Sequence, residues 1–338
     1  GIHALMGRRS TARLQAQTGE VVALSRLAEA RTGDLLSPAG KLAAGWPVPP
    51  PAVYALAIRA ERQADEVKLA SALQRIAEED PSVTAAHNGE TGEMILSGQG
   101  ETQLQLVLAR LKSDYGLAVA RAQPALPYRE TITKPATIHA RHKKQSGGHG
   151  EFADVHLDIR PQPRGAGFAF DDRITGGVVP KQYIPAVQKG VEGFLAKGPL
   201  GYPMVDVAVT LTDGSFHPVD SSDMAFQKAG AKALAEAMPA CGPVLLEPVL
   251  QVALAVPSEF TPRVQRIVTG RRGQLLGFDA RAGWPGWDEV QALIPQAETQ
   301  DLITELRAAS LGVGSYTAGF AHLQDCTGRE AEKALARV

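Results

Sequence analysis

The sequence predicts an α+β protein of several domains, in which two βαββαβ modules flank an elongated α/β domain. Its 338 residues are too many for one ordinary hydrophobic core, which favours two to four domains. Helical and strand-like hydrophobic patterns follow one another in the same order twice, at about 52–122 and 244–325. A short β segment precedes the first module, and the chain between the two modules follows a different pattern.

The first module is predicted by hydrophobic periodicity between residues 52 and 122. Leu69, Leu73 and Ile76 fall on one face of a helix over 64–79, and a second helix repeats apolar residues at the i, i+3, i+4, i+7 spacing. The resulting order is βαββαβ, the split βαβ or ferredoxin-like arrangement. The strands are expected at 53–58, around Val83, at 94–96 and at 117–120, and the second helix carries Leu104, Val107, Leu108 and Leu111.

The same order recurs near the C-terminus. Pro262 falls in the first turn of the helix that follows the first strand, a position where proline is tolerated. This second module is therefore also expected to be ferredoxin-like. Its strands are expected at 249–256, 275–278, 290–294 and 315–320, and its helices are marked by Phe260, Val264, Ile267 and Val268 and by Leu302, Ile303 and Leu306.

Residues 1–46 predict short strands and turns, with a strand at 20–24 and a turn at 32–34. A segment of this length cannot close a barrel alone, so we expect it to be the end of a larger β domain. The proline-rich stretch 46–51 favours a stiff, extended linker after it. The expected domains are 1–46, 47–124, 125–243 and 244–338.

The amino-acid composition limits the classes of function that this protein can have. A formal net charge of −1 restricts any nucleic-acid contact to local basic patches. Two cysteines are too few for a disulfide framework, so a cytoplasmic location is expected, and no apolar run approaches the roughly twenty residues that cross a membrane. The chain has no phosphate-binding loop motif, so we expect it to bind no nucleotide cofactor and to carry no catalytic residues of its own.

The first informative passage of the middle domain is a basic strand that leads into a glycine-rich loop. Residues 131–150 contain four lysines or arginines and no acidic residue. Glycines expose backbone amides, so a phosphate-contacting surface is one interpretation. A solvated hairpin whose charged edge prevents aggregation is the other, and the residues alone favour neither.

The second passage, residues 214–223, connects a strand to a helix that begins near Met224. Ser221 and Ser222 suit helix N-caps, and Asp223 suits the first turn of a helix. These roles do not explain His217, which is expected at the tip of the loop. A Ser-His-Asp triad of His217, Asp220 and Ser221 is disfavoured, because neighbours on one tight loop rarely converge in the required geometry.

Histidines are frequent in the same domain, at positions 139, 142, 149 and 156. In a strand, residues three apart point to opposite faces, and no cysteine or clustered carboxylate completes a ligand set in the sequence. No metal site is therefore expected.

Taken together, these passages resemble the elongation factor G family of translational GTPases. The matches run in family order from about residue 20 to 320 and are long and specific. The implied layout is the end of β-barrel domain II, then ferredoxin-like domain III, domain IV that reaches the ribosomal decoding region, and ferredoxin-like domain V. The passages are EDPS (79–82), PYRET (127–131), KKQSGGHG (143–150), GGVVP (176–180), YIPAV (183–187), GPLGYP (198–203), VDSS (219–222), PVLLEP (243–248) and RRG (271–273).

The resemblance implies two tip loops in domain IV that contact RNA, one with glycines and one with His217 shaped by Pro218. The implied partners are the ribosome, through its RNA, its proteins and the A-site tRNA–mRNA, and the GTPase domain of the same protein, which would hold GTP and Mg²⁺ upstream. No membrane partner is implied, and a monomer is expected. The implied RNA- or ribosome-contacting residues are Lys143, Lys144, Gln145, Ser146, Gly147, Gly148, His217, Pro218, Arg271 and Arg272.

One passage departs from the family. At the start of the second helix of domain III the family usually has Gly-x-Gly-Glu-Leu-His-Leu, whereas this chain has Glu101, Thr102 and Gln103 before Leu104. These residues lie where the family's domain III couples to the GTPase domain. The leading function is promotion of tRNA–mRNA translocation. The alternatives are an elongation factor G-like paralogue in ribosome recycling, rescue or protection, and a stand-alone RNA-binding module.

Overall fold

The computed structural model describes residues 1–7, 9–27, 29–37, 50–145 and 150–336. The chain forms two compact units, one of Gly1–Asn88 with Glu93–Gln123 and the other of Gly89–Gly92 with Pro124–Val338. The predicted α+β architecture is confirmed, with several separate sheets and their helices. No helix in the described part of the chain is long and apolar enough to cross a bilayer.

The N-terminal segment forms a small antiparallel sheet in the order β2-β1-β3. The strand expected at 20–24 shortens to its last two residues, and the turn expected at 32–34 is present, with the Asp34 amide donating to the Arg31 carbonyl at 3.0 Å. The linker expected at 46–51 lies outside the described residues except for Pro50 and Pro51. The strands are β1 (Ile2–Met6), β2 (Arg9–Arg13) and β3 (Ala23–Leu24).

The first βαββαβ module has the expected element order. Its sheet has the strand order β5-β6-β4-β7, with every neighbouring pair antiparallel, which is the ferredoxin-like arrangement. Leu69, Leu73 and Ile76 of the first helix are buried against Leu104 and Leu111 of the second, as the periodicity predicted. The elements are β4 (Tyr54–Ala60), α1 (Glu66–Glu79), β5 (Thr84–His87), β6 (Met94–Gly98), α2 (Glu101–Tyr115) and β7 (Val119–Ala122).

The middle domain is a four-stranded sheet with both of its helices on one face. The strand order is β11-β12-β10-β9, with β11 parallel to β12 and the other pairs antiparallel. Alternate residues of β10, among them Val155 and Leu157, are fully buried against the helices together with Phe226 and Leu234. The preceding strand β8 (Arg129–Ile132) belongs to the sheet of the C-terminal module. The elements of the middle domain are β9 (Ala136–Lys144), β10 (Glu151–Pro161), β11 (Phe168–Asp172), α3 (Ile184–Leu195), β12 (Val207–Ser215) and α4 (Asp223–Cys241).

The C-terminal module repeats the ferredoxin-like order β14-β15-β13-β16. Its first strand is longer than the predicted 249–256, because its beginning pairs with β8. Pro262 lies in the first turn of the first helix, as predicted. A final helix follows the last strand, which the hydrophobic patterns did not predict. The elements are β13 (Pro243–Pro257), α5 (Thr261–Gly270), β14 (Gln274–Ala280), β15 (Trp287–Pro295), α6 (Leu302–Ala309), β16 (Ser315–Asp325) and α7 (Gly328–Leu335).

Candidate functional site

The basic end of the β9–β10 hairpin forms one side of the candidate site. The antiparallel register places Lys144 opposite Glu151 and Lys143 opposite Phe152. Because side chains alternate along a strand, the two lysines point to opposite faces of the sheet, and both are exposed, as is Gln145. The predicted loop residues Ser146, Gly147 and Gly148 lie outside the described residues.

The loop between β12 and α4 forms the other side. The Ser221 hydroxyl accepts from the His217 amide at 2.9 Å and donates to the Phe152 carbonyl at 2.8 Å, so it ties the loop to strand β10. Ser222 is the helix N-cap, since its hydroxyl accepts from the Ala225 amide at 3.3 Å. The N-cap role predicted for Ser222 is therefore confirmed, whereas Ser221 has a different one.

The two loops meet although 70 residues separate them in sequence. The Asp220 carboxylate accepts from the Gly150 amide at 3.0 Å, and the Asp220 carbonyl accepts from the Phe152 amide at 2.8 Å. A Cβ at position 150 would lie 3.0–3.2 Å from that carboxylate, so glycine permits the close approach. The structure thus brings the Gly150 end of the hairpin and the His217 loop together into one tip.

His217 presents its ring at this tip with 51% of the side chain exposed. Its Nδ1 accepts from the amides of Val219 and Asp220 at 3.3 and 3.2 Å, an arrangement that fits the tautomer with its proton on Nε2. The Asp220 carboxylate also lies 3.4 Å from Nδ1. The two backbone donors are both closer to Nδ1 than this carboxylate oxygen is, which favours an unprotonated Nδ1.

The same geometry excludes a catalytic triad. The proton of the Ser221 hydroxyl is directed at a backbone carbonyl, and the Nδ1 of His217 is occupied by backbone amides. Among the residues that the structure describes, no imidazole nitrogen is hydrogen-bonded to the hydroxyl, which the triad mechanism requires. His217, Asp220 and Ser221 therefore do not have the mutual geometry of a triad in this structure.

An aromatic and cationic row borders the histidine. The rings of Phe152 and His217 meet edge to face with centroids 6.3 Å apart, and the Arg141 guanidinium carbon lies 5.9 Å from the centroid of Phe152. Rings and a guanidinium in this arrangement are groups on which nucleotide bases and sugars stack. Arg141 and Phe152 were not among the sequence-predicted site residues, because their proximity depends on strand register.

Ion pairs fix the tip on the helix side of the sheet. The Glu151 carboxylate accepts from Lys228 of α4 at 2.7 and 2.9 Å and lies 2.6 Å from the His142 imidazole. Hydrogen bonds from Lys228 and then His142 lower the pKa of Glu151 to about 2. The loop end of the hairpin is thereby tied to α4, the helix that follows the His217 loop.

Arg271 and Arg272, predicted to contact the ribosome, are both engaged within the C-terminal module. Arg271 binds the carboxylates of Asp301 and Glu305 at 2.7 and 2.6 Å, and only 12% of its side chain is exposed. Arg272 binds both carboxylate oxygens of the buried Glu247 at 2.7 and 2.9 Å. These contacts show a structural role for both guanidinium groups, and ribosome contact stays a prediction.

The interdomain-coupling residues expected at 101–103 occupy the first turn of α2. Glu101 and Thr102 are exposed, whereas Gln103 is half-buried. The Gln103 amide oxygen accepts from the Gln99 backbone at 2.7 Å, and its nitrogen donates to Asp80 and Ser82 at 2.9 and 2.7 Å. The glutamine therefore joins α2 to the loop after α1, while coupling to another domain stays a prediction.

The sequence predicted no carboxylate close to the histidines, and this part of the prediction was wrong. His139 and His142 do lie on opposite faces of β9, as expected from strand alternation. However, the pairing of β9 with β10 brings Asp154 and His156 beside His139. Spacing within one strand could not reveal a cluster that forms between two strands. His149 lies outside the described residues.

Comparison with known proteins now assigns the family. Residues 48–123 match the family model of elongation factor G domain III, residues 124–242 match that of domain IV, and residues 244–334 match that of the elongation factor G C-terminus. The chain is 53% identical over 325 residues to an elongation factor G-like protein of Synechocystis sp.. This chain belongs to the elongation factor G family.

The alignment with that elongation factor G-like protein covers 96% of this chain and 49% of the relative, so the chain spans about half the length of the curated relative it matches. A crystal structure of a Thermus thermophilus protein is also similar, with a TM-score of 0.76 and 35% identity over 86% of this chain and 43% of that one. The matched family models are those of domains III, IV and the C-terminus, and the candidate tip lies wholly within the domain IV match.

Proposed function

We propose that this chain is the ribosome-binding part of a cytoplasmic elongation factor G-type translation factor that promotes tRNA–mRNA translocation. The observation that carries the proposal is the tip of the domain IV match, where the end of a basic hairpin and the His217 loop join through Gly150 and Asp220. Exposed lysines, a half-exposed imidazole and an adjacent aromatic ring suit RNA, whose phosphates, sugars and bases they would contact.

In the proposed function, the domains of the protein have separate tasks. The chain binds the ribosome through domains III, IV and V, at 47–124, 125–243 and 244–338, as a monomer. GTP and Mg²⁺ bind in the GTPase domain of the full-length protein, which hydrolyses the nucleotide. The tip acts by shape and hydrogen bonding, since the hydroxyl and the imidazole of its loop are not arranged for proton transfer.

The test is His217→Ala in the full-length factor. tRNA–mRNA movement should slow by about tenfold or more, because one stacking surface and one hydrogen bond to RNA are lost. Ribosome-stimulated GTP turnover should stay near the level of the unmodified factor. The measurements are single-round translocation by rapid mixing and phosphate release under the same conditions.

His322→Ala is the matched control, since it removes an exposed histidine from β16 of the C-terminal module. Equal loss of translocation and GTP turnover in His217→Ala would instead assign the histidine to holding its loop. Unchanged translocation would contradict the proposal.

A paralogue with a role in ribosome recycling, rescue or protection is the second candidate. It is favoured by Gln103, which bonds within its own domain where the family usually has histidine. The similar protein of Synechocystis sp. is itself described as elongation factor G-like. Full-length protein that splits ribosomal subunits but does not move tRNA–mRNA would establish this candidate over the first.

A further inference from the structure

A cluster of two histidines and an aspartate lies on the helix-free face of the middle sheet. On β10, Val155 and Leu157 point into the core, so Asp154 and His156 point to the opposite face. The register pairs His156 directly with His139 of β9, and their rings stack with centroids 4.1 Å apart. Two imidazoles and one carboxylate thus share one patch of the sheet.

The spacing of the potential ligand atoms suits a metal ion. The Oδ1 of Asp154 lies 2.9 Å from Nε2 of His139 and 3.8 Å from Nε2 of His156. One ligand atom from each residue can be chosen so that all three lie within 4.8 Å of one another. Tetrahedral Zn²⁺ with bonds of 2.0–2.1 Å holds its ligand atoms roughly 3.3 Å apart. Shifts of about half an ångström would bring both Asp154–histidine distances to this value.

We propose that His139, His156 and Asp154 bind a divalent transition-metal ion such as Zn²⁺. Imidazole nitrogen with carboxylate oxygen is a donor set that Zn²⁺ accepts, and a three-residue set leaves a coordination position for water. The His139 and His156 side chains are 48% and 35% exposed, so an ion can enter from solvent. The three ligands lie outside the tip loops, although Arg141 contacts both Asp154 and Phe152, and the site goes beyond the proposed function.

The surroundings hold the aspartate in the required orientation. Asp154 is only 4% exposed, and its Oδ2 accepts from Nε of Arg141 at 2.7 Å, which leaves Oδ1 directed at the histidines. Carboxylates that ligate metals are commonly held by such a second hydrogen bond. The positive charge of Arg141 also weakens cation binding, so the affinity should fall below that of a closed four-ligand zinc site.

An irregularity in the sheet supports the assignment independently. The pairing of β10 with β12 shifts register at His156, and the Thr212 hydroxyl donates to the His156 carbonyl at 3.2 Å. The extra residue is Thr212 of β12, and bulges of this kind are frequent beside functional sites.

The test is titration of Zn²⁺ into the untagged 338-residue chain by calorimetry, with Co²⁺ absorption as a probe of coordination geometry. One equivalent should bind. His139→Ala and His156→Ala should each weaken binding at least about tenfold, because each removes a ligand. His142→Ala is the matched control, since His142 lies on the opposite face of β9 against Glu151, and it should leave binding unchanged.

Three further variants keep the test decisive. If Asp154→Asn does not fold, His139→Ala still tests the site, because His139 is half-exposed. Thermal unfolding of each variant shows whether it is folded. If His149→Ala abolishes binding while His139→Ala does not, the ion belongs to the glycine-rich loop and the proposal is wrong. Absence of one-to-one binding, or binding that persists in the His139→Ala/His156→Ala protein, would also overturn it.

Discussion

Glu151 links three elements at the base of the tip through one carboxylate. It lies at the start of β10, accepts from Lys228 of α4 and contacts His142 of β9. These partners favour the ionised form and lower its pKa to about 2. A depressed carboxylate pKa in the folded state means that the unfolded chain binds the proton more tightly, so protonation favours unfolding.

Glu151→Gln should therefore change how stability depends on acid. The contribution of Glu151 is fully present above its ordinary pKa of 4.5 and is lost as the pH falls towards about 2. The variant should be less stable than the unmodified chain at pH 7, and the difference should shrink between pH 4.5 and 2. Urea unfolding at low ionic strength across this range measures it.

Lys228→Met provides the companion measurement, because it removes the group that contributes most to the shift. It should reduce the acid-dependent difference in a chain that keeps Glu151. A difference between Glu151→Gln and the unmodified chain that stays constant from pH 7 to pH 2.5 would contradict this account.

At the scale of elements, helices α3 and α4 approach so closely that glycine is required where they cross. A Cβ at Gly190 would lie 2.0 Å from the Gln227 carbonyl oxygen, and one at Gly230 would lie 2.7 Å from the Val187 carbonyl oxygen. Backbone atoms on both sides cannot move aside as a flexible side chain could. The close crossing positions α4, and α4 begins directly after the His217 loop.

Gly190→Ala should destabilise the middle domain by about 2–3 kcal/mol through overpacking. Gly193→Ala on the same helix is the matched control, because a Cβ there meets nothing within 4 Å. It should stabilise the domain by up to about 1 kcal/mol, since alanine is the better helix former. Amide exchange in α3 and α4 by mass spectrometry measures both, and equal effects of the two substitutions would refute the packing argument.

The pair of Arg272 and Glu247 fixes the corner between α5 and β14. Glu247 is 2% exposed and accepts from two guanidinium nitrogens. Arg272→Met should cost about 2–3 kcal/mol of stability, because it leaves the buried carboxylate with too few donors. Urea unfolding followed by the fluorescence of Trp284 and Trp287, which lie in the same module, measures the loss.

Two comparisons separate the structural role of Arg272 from ribosome contact. Adding Glu247→Gln to Arg272→Met should recover part of the stability, because the buried charge is removed as well. Arg266→Met, an exposed arginine of α5, should have little effect. If stability is unchanged in Arg272→Met while ribosome binding falls, the arginine serves RNA and not the fold.

Local hydrophobic patterns predicted the helices and strands well, but they could not predict contacts between segments that are distant in sequence. The periodicity of Leu69, Leu73 and Ile76 specified a helix face, because that information lies within one turn or two of chain. The proximity of Asp154 to His139 depends on the register of two strands, and the contact of Gly150 with Asp220 depends on the whole domain. The resemblance to elongation factor G supplied what single-segment patterns lack, since it placed both tip loops in one domain.

At the scale of the whole molecule, the charge distribution makes binding to RNA a local property. The formal net charge is −1, so the surface as a whole does not attract a polyanion. The end of β9 differs from this average, because Arg141, Lys143 and Lys144 lie within four residues and are exposed. Neutralising phosphates at this site releases condensed counterions, which makes the affinity depend on salt.

Replacing Lys143 and Lys144 together by alanine in the full-length factor should therefore lower the salt dependence of ribosome binding. Each lost phosphate contact removes about 0.7–0.9 from the slope of log affinity against log salt, so the slope should fall by roughly one to two.

Since the two side chains point to opposite faces of the sheet, the single variants show which face meets RNA. A fall of about one in Lys143→Ala alone would assign the contact to the face that carries Arg141.

The matched control is Lys68→Ala with Lys112→Ala in the first module, which makes the same change in net charge at exposed helix positions. Affinity measured by filter binding from about 50 to 200 mM salt gives the slopes. An unchanged slope in the Lys143 and Lys144 variant, or an equal fall in the control, would show that this hairpin does not contact phosphate and that its lysines serve only as a solvated strand edge.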